Sequence, residues 1–248
     1  MKNKPIFILA TFLYKYFPFL YKQLYFKFKA NQDAYEIELM KRFIKKGDIL
    51  LDIGANIGFY TTVFSKLAGR YGKVYCFEPD PGNSNFLRSN TKKFQNVTLI
   101  PKAVSEKKGT LTFYTSHRLN VDHRSYKPEK FNNSFEVESI SIDEFINGKF
   151  DVNFIKMDIQ GAEYGALKGM VNTLRKNDAI LLMEIWPYGL KLAGSSVEEV
   201  VSYINKLKYK VYSLNNMKLR RISEKSVKQF GLKEEDYYNV IASKKKLV

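Results

Sequence analysis

Side chains that build disulfides and metal sites are scarce in this 248-residue sequence. Its single cysteine, Cys76, excludes an intrachain disulfide and fits a reducing compartment such as the cytoplasm. Because the chain has only two histidines beside that cysteine, we expect no structural zinc site and assign no residue to a metal. Cys76 stands in an apolar run, which is typical of a thiol buried in the core.

Long apolar runs are also lacking, although the first 30 residues differ from the rest. The longest apolar stretch is interrupted by Lys15 and Pro18, so it falls short of the ~20 residues that a membrane-spanning helix needs. Residues 1–30 contain six lysines, ten Phe or Tyr and no acidic residue. This composition fits either a segment lying peripherally at the inner face of a membrane, or a helix packed on the main domain or a second copy.

Acidic residues are outnumbered in the chain as a whole. The sequence has 25 Asp and Glu against 41 Lys and Arg, which gives a formal net charge of +16. Such an excess favours nucleic acid, an anionic membrane surface or an acidic glycan as partner, without choosing among them. Because 45% of the residues are hydrophobic, the chain can bury a core, and global disorder is excluded.

Residues 31–248 form the predicted main domain, in which short apolar strands alternate with helical stretches. This alternation predicts a doubly wound α/β fold, with helices on both faces of a mostly parallel seven-stranded sheet and an antiparallel last strand. Such sheets bind ligands at the carboxyl ends of their strands. The predicted strands are 48–53, 73–77, 97–100, 154–159, 180–185, 210–214 and 237–242, and further strand pieces lie at 111–114 and 135–142.

A glycine turn follows the first of these strands and carries the most informative motif. Residues 52–58 read D-I-G-A-N-I-G, so Gly54 and Gly58 allow a sharp turn and leave room for a ligand against the backbone. The spacing is not the G-x-G-x-x-G of dinucleotide sites, and Asp52 precedes the first glycine. An acid there suits a ligand with positive charge, such as S-adenosylmethionine, which has an ammonium and a sulfonium and no phosphate.

Acidic residues end three further strands. Glu78 ends the second strand, and a carboxylate there is placed to bind both ribose hydroxyls of an adenosine. Asp158 ends the fourth strand and Glu184 the fifth, while Glu163 opens the helix after Asp158. Together the last three acids suit polar substrate groups or a divalent cation, although Glu163 also has a competing role at the positive end of its helix.

These motifs, in this order, resemble the FkbM family of methyltransferases. The resemblance extends over about residues 47–242 and includes F-E-P-D-P, A-V-S, S-I-D-E-F, I-K-M-D-I-Q-G-A-E and M-E-I. It implies a class I methyltransferase fold, S-adenosylmethionine as methyl donor, and a hydroxyl of a sugar or polyketide as acceptor. Gln160 departs from the family, which commonly has an acid at that position.

The resemblance also implies roles for individual residues. Asp158 faces the reacting centre and Glu78 binds the ribose. The methionine part of the cofactor is lined by Asp52, Gly54, Asn56 and Gly58, and the adenine lies near Ala103 and Val104.

A polar loop at residues 116–126 is our candidate for acceptor recognition. It contains both histidines, and we expect Asn120, Asp122, His123 and Arg124 to bind the acceptor together with Glu163 and Glu184. An imidazole titrates near pH ~6.5, so His123 is a candidate base for the hydroxyl proton, with Asp158 as the rival. An ordinary solvated loop is the alternative.

The sequence therefore predicts an S-adenosylmethionine-dependent O-methyltransferase that acts on a sugar, glycan or glycolipid. One alternative is an RNA methyltransferase, which the positive charge favours but which lacks a recognisable RNA-binding module and the Pro-Pro-aromatic motif of base-amine methylation. The other is a non-catalytic module that retains the fold.

Overall fold

The computed structural model describes residues 4–115, 123–128, 131–215, 218–223, 226–227 and 230–247. The strands in chain order are β1 (Ile49–Ile53), β2 (Lys73–Phe77), β3 (Val97–Ile100), β4 (Ala103–Val104), β5 (Gly109–Thr115), β6 (His123–Arg124), β7 (Asn133–Ile140), β8 (Phe154–Met157), β9 (Ile180–Ile185), β10 (Lys210–Asn215), β11 (Lys218–Ile222) and β12 (Tyr238–Ser243). The helices are α1 (Lys4–Tyr16), α2 (Pro18–Gln32), α3 (Ala34–Phe43), α4 (Phe59–Ala68), α5 (Pro81–Thr91), α6 (Ile142–Ile146), α7 (Glu163–Lys168), α8 (Val171–Lys176), α9 (Pro187–Leu192) and α10 (Val197–Lys206).

The central sheet has eight strands in the order β11-β10-β12-β9-β8-β1-β2-β3. Strands β9, β8, β1, β2 and β3 run parallel to one another, and β12 lies antiparallel between β9 and β10. The predicted mostly parallel sheet with an antiparallel strand near its end is therefore confirmed. The eighth strand, β11, was not predicted, because its sequence K-L-R-R-I is mostly polar and pairs as an edge hairpin with β10.

Apolar side chains alternate between the two faces of the central strands, so the sheet has a core on each side. Leu50 of β1 packs with Phe64 of α4 on one face. Leu51 packs with Met183 and the α10 side chains on the other face. Burial on both faces explains why the central strands read as short continuous apolar runs.

A second sheet of four strands, in the order β4-β7-β5-β6, contains the predicted strand piece at 111–114 and most of the piece at 135–142. The last two residues of the second piece differ, because Ser141 caps α6 and Ile142 begins it. Strands β5 and β7 pair antiparallel, with Phe113 opposite Phe135. Residues of β4 and β5 line the cavity at the carboxyl edge of the central sheet.

Helices α1 and α2 pack on the main domain through aromatic rings. Tyr14 contacts both Tyr21 and Phe86, with ring centroids 5.3 and 4.5 Å apart, and Phe26 packs edge-on against Phe59 at 5.4 Å. Pro18 occupies the first turn of α2, where a missing N–H is tolerated. In the part of the chain that the structure describes, no helix combines the length and apolarity that crossing a membrane requires.

Candidate active site

The turn after β1 has a backbone that only glycine accommodates at two positions. Gly54 has φ +79°, and a Cβ atom there would lie 1.9 Å from the carbonyl oxygen of Asp158. Gly58 caps α4 with φ +88°, and a Cβ would lie 2.4 Å from Cδ1 of Leu87. Asn56 between them also has positive φ, +50°. The turn therefore brings main chain, rather than side chains, close to the end of β8.

Glu78 follows β2, and two backbone N–H groups hold its carboxylate. The Asn56 N–H donates to Oε2 at 2.8 Å, and the Asp80 N–H donates to Oε1 at 3.0 Å. The side chain is only 6% exposed, and burial raises the pKa of Glu78 to about 7 despite these two hydrogen bonds. Asp80 in turn caps α5 by accepting from the Asn83 N–H at 2.7 Å.

A cavity of ≈ 860 Å³ opens at this edge of the sheet. Its size is in the range of small-molecule sites in proteins. The structure brings together in its wall seven of the residues predicted from the sequence, which are Gly54, Asn56, Glu78, Ala103, Val104, Asp158 and Glu184.

The chemistry of this wall fits a cationic nucleoside. The Glu78 carboxylate offers acceptors for hydroxyl groups, and buried Ala103 and Val104 offer apolar surface for a flat ring. Asp158 supplies negative charge beyond the glycine turn, and the Glu184 carboxyl lies in the same wall. The residues present therefore fit S-adenosylmethionine.

The side-chain amide of Gln160 bridges the carboxyl groups of Asp158 and Glu184. Gln160 donates through Nε2 to Oδ1 of Asp158 at 3.0 Å and to Oε1 of Glu184 at 3.2 Å. Burial and the charge of Asp158 raise the pKa of Glu184 to about 8. Burial acts on Asp158 in the same direction, but the Lys156 ammonium and the Gln160 hydrogen bond outweigh it and lower the pKa of Asp158. At neutral pH one acid is thus ionised while the other retains its proton.

Lys156 provides the buried cation of the site. Its Nζ lies 3.4 Å from Oδ2 of Asp158 and 4.5 Å from the centroid of the Tyr60 ring. Strand pairing places Lys156 of β8 directly beside Asp52 of β1. Burial opposes the charged form, but Asp158, Asp52 and Glu184 together raise the pKa of Lys156.

Three residues predicted to bind ligands, in or near the glycine turn and the loop after β8, lie outside the cavity wall. Asp52 is fully buried and accepts from Thr61 Oγ1 at 2.6 Å, so it supports α4 from beneath the turn. Glu163 is 1% exposed and accepts from the N–H groups of Ile159 and Gly161, so it shapes the loop after β8. Gly58 faces Leu87 rather than the cavity.

Burial raises the pKa of Glu163 to about 7. The structure places Asp52 and Glu163 behind the cavity wall, where their carboxylates hold the backbone or side chains of neighbouring segments. Each carboxylate also has one oxygen without a hydrogen-bond partner among the described residues.

The polar loop predicted to bind the acceptor is described only in part. Asn120 and Asp122 lie outside the described residues. The backbone of His123 pairs with Thr115 in β6. Arg124 does not line the cavity: the residue is only 8% exposed, and its guanidinium carbon lies over the Trp186 ring, 4.6 Å from the ring centroid. Ser125 and Tyr126, which follow it, do line the cavity.

Sequence reasoning missed several residues of the wall. Lys156 and Gln160 lie inside the motif I-K-M-D-I-Q-G-A-E, where their polarity next to Asp158 was an available signal. Tyr25, Lys29 and Gln32 of α2 also line the cavity. Their segment lies outside the family resemblance, so no motif pointed to them.

Comparison with known proteins gives results that agree with this geometry. A family model described as the methyltransferase FkbM domain matches residues 52–211. The 2-O-methyltransferase NoeI of Sinorhizobium fredii is 29% identical over 149 residues, which cover 53% of this chain and 61% of the relative. The hexuronic acid methyltransferase AglP of Haloferax volcanii is 29% identical over 159 residues, which cover 62% of each chain. The matches span less than two thirds of either relative's length.

The fold is also found in solved structures. The crystal structure of methyltransferase FkbM from Methylobacillus flagellatus superimposes with a TM-score of 0.51 at 18% identity, covering 79% of this chain and 43% of the other. This likeness shows the class I methyltransferase fold.

Proposed function

The chain belongs to the FkbM methyltransferase family, and we propose that it transfers the methyl group of S-adenosylmethionine to a hydroxyl oxygen of a sugar, glycan or glycolipid. The observation that carries this proposal is the single cavity in which Glu78, the glycine turn and the pair Asp158 and Glu184 meet. The two similar methyltransferases are named for a 2-O position and for a hexuronic acid, which supports a sugar as acceptor.

Some residues of the cavity bind the donor and acceptor, and others are candidates for proton transfer. Glu78 binds the ribose hydroxyls, and the turn at Gly54 admits the rest of the donor against the backbone. S-adenosylmethionine supplies an electrophilic methyl group on a sulfonium. The wall must hold the acceptor oxygen in line behind that methyl, and such positioning supplies much of the rate.

Loss of the hydroxyl proton requires a base, and there are two candidates. Asp158 is ionised at neutral pH because Lys156 and Gln160 stabilise its carboxylate, so it can accept the proton through a carboxylate oxygen. His123 is the second candidate. Glu184 retains its proton and can donate a hydrogen bond to another oxygen of the acceptor.

Methyl transfer to defined sugars tests the proposed function directly. We would incubate the protein with radiolabelled S-adenosylmethionine and a panel of p-nitrophenyl hexosides and hexuronides, with bacterial glycolipids as further acceptors. Label in a glycoside product, reduced with Glu78→Ala at limiting donor concentration, would support the proposal. Labelling of RNA but of no glycoside would overturn it.

We also propose that the N-terminal helices hold the chain against an anionic membrane surface. Large apolar side chains within residues 9–28 are exposed beside lysines, a combination that suits a lipid interface. The exposed side chains are Leu9, Phe12, Tyr16, Phe17, Phe19, Leu20, Leu24 and Phe28.

Sedimentation with vesicles tests this contact. We expect binding to vesicles containing phosphatidylglycerol and weaker binding to pure phosphatidylcholine. Leu24→Asp should reduce vesicle binding, whereas Leu232→Asp, which changes another exposed leucine far from the N-terminal helices in sequence, should leave it unchanged. Equal loss in both variants, or no vesicle binding by the unaltered protein, would contradict the proposal.

A further inference from the structure

Helix α2 supplies one wall of the cavity, although it lies outside the family domain at residues 52–211. Tyr25, Lys29 and Gln32 all line the cavity. Their spacing of i, i+4 and i+7 places them on one stripe of the helix. The acids Asp158 and Glu184 line the same cavity.

The wall is held in place by contacts with α4. Lys29 Nζ lies 2.6 Å from Oδ2 of Asp33, and the Tyr60 hydroxyl donates to the same oxygen at 2.6 Å. Phe26 packs on Phe59 in the first turn of α4. These contacts fix the position of α2 relative to the start of α4, which directly follows the glycine turn of the donor site.

Electrostatics place the stripe close to the reacting end of the cavity. Burial raises the pKa of Tyr25, and the charges of Asp158 and Glu184 raise it further. In return, the Lys29 ammonium is among the causes that lower the pKa of Asp158. The Tyr25 phenol and the Lys29 ammonium therefore interact electrostatically with Asp158 and Glu184. These are the two acids beside which the methyl group is transferred.

The charges in this part of the cavity are nearly balanced. Lys29 is paired with Asp33, and Lys156 is paired with Asp158. Glu184, with its raised pKa, adds no full negative charge at neutral pH. A balanced set of phenol, ammonium, amide and carboxyl groups suits hydroxyls, which both donate and accept, better than a free carboxylate or phosphate.

We propose that α2 is the acceptor-binding wall, in which Lys29 and Gln32 hydrogen-bond to the non-reacting hydroxyls of an uncharged sugar ring. The inference rests on the proposed function and deepens it by naming the residues that choose the acceptor. Lys29 and Gln32 are specificity residues, since the donor site and the candidate bases lie on other elements.

A steric block on α2 tests whether this wall serves the acceptor. The native Cys76 is fully buried, so a cysteine placed at exposed Gln32 can be labelled selectively with pyrenyl maleimide. Gln23→Cys is the matched control, because Gln23 is exposed on another side of the same helix. We would measure S-adenosylhomocysteine affinity by calorimetry and methyl transfer to the p-nitrophenyl hexosides.

We expect the label at position 32 to lower kcat/KM for the hexoside at least tenfold and to leave S-adenosylhomocysteine affinity within about twofold. The label at position 23 should change neither. Unchanged transfer with the label at 32, or an equal loss of S-adenosylhomocysteine affinity, would overturn the assignment while the proposed function stands. If the unlabelled protein methylates no glycoside, the proposed function fails and the inference fails with it.

Substitution of Lys29 tests the chemistry of the acceptor. Lys29→Met should raise KM for an uncharged hexoside about tenfold or more, the effect of losing a hydrogen bond to a charged group. kcat should change little, and Lys29→Arg should restore part of the loss. Lys27→Met, on the exposed side of α2, is the control for loss of charge. An unchanged KM, or a loss confined to hexuronides, would contradict an uncharged ring.

Discussion

The backbone N–H of Asn56 lies 2.8 Å from Oε2 of Glu78 and donates a hydrogen bond to it. This bond joins the turn after β1 to the acid after β2, two segments 22 residues apart in sequence. A second backbone donor, from Asp80, holds the other oxygen. The acid assigned to the ribose is therefore aimed by main-chain groups.

Replacing Glu78 should weaken donor binding. Glu78→Ala removes the carboxylate that binds the ribose, and the loss of one hydrogen bond to a charged group costs about 1.5–3 kcal/mol, so we expect a loss of at least roughly 10- to 150-fold in affinity for S-adenosylhomocysteine. Isothermal titration calorimetry measures this loss. Glu198→Ala, in the first turn of α10, is the control and should retain full affinity. Unaltered binding in Glu78→Ala would rule out the ribose role.

Stability should fall as pH rises from about 5 to 8. Burial raises the pKa of Glu78 and Glu163 to about 7 and that of Glu184 to about 8, whereas unfolded glutamates titrate near ~4.3. Between these values the folded chain holds protons that the unfolded chain has released. The stabilisation is complete below the unfolded pKa and is lost as pH rises through 7 to 8. Asp158, with its lowered pKa, acts only below about pH 4.

Thermal unfolding followed by fluorescence across this pH range measures the effect. Glu163→Gln should flatten the profile, since it removes one of the buried carboxyls whose pKa is raised, at a position behind the cavity wall. A Tm that increases steadily from pH 5 to 8 would contradict the assigned shifts.

Removing the buried ammonium should destabilise the fold. Lys156→Met leaves Asp52 and Asp158 without their shared cation, and removing one partner of a buried pair typically costs about 3–5 kcal/mol. Urea unfolding gives this difference. The double variant Lys156→Met with Asp158→Asn should recover part of it. The pairing would be refuted by purely additive losses.

Two substitutions distinguish the candidate bases. His123→Ala should lower kcat about 10²–10⁴-fold if the imidazole takes the proton, and should leave S-adenosylhomocysteine affinity unchanged. Asp158→Asn should show that loss instead if the carboxylate is the base. The acidic limb of the pH–rate profile would move only for the residue that acts. Unchanged turnover in His123→Ala would remove His123 from the mechanism.

The fold could be predicted from the sequence because the periodicity of apolar residues and the residues of turns are local signals. The strands around the glycine turn are short apolar runs buried on both faces, and they were predicted within a few residues. Strand β11 was missed because its polar side chains mimic a loop. Its identity as a strand depends on pairing with β10, which is a tertiary contact.

The site was predictable where strand order brings strand ends together. Gly54, Glu78, Asp158 and Glu184 meet because parallel strands share an edge. Motif and polarity predicted that Asp52 and Arg124 belong to the site, but the direction of each side chain depends on packing. In the structure Asp52 lies beneath the turn and Arg124 packs on Trp186. The contribution of α2 to the cavity wall could not be predicted from the sequence, because it depends on where a helix outside the family domain packs.

Helix α2 carries two stripes of side chains, and the helix backbone fixes their orientation relative to each other. Leu20, Leu24 and Phe28 form an exposed apolar stripe about 100° around the axis from the stripe that lines the cavity. Any bilayer that receives the first stripe would lie within about one helix diameter, ~10–12 Å, of the cavity. The chain would then meet lipid-borne sugars by lateral diffusion in two dimensions, and free sugars in solution would reach it only by encounter in three.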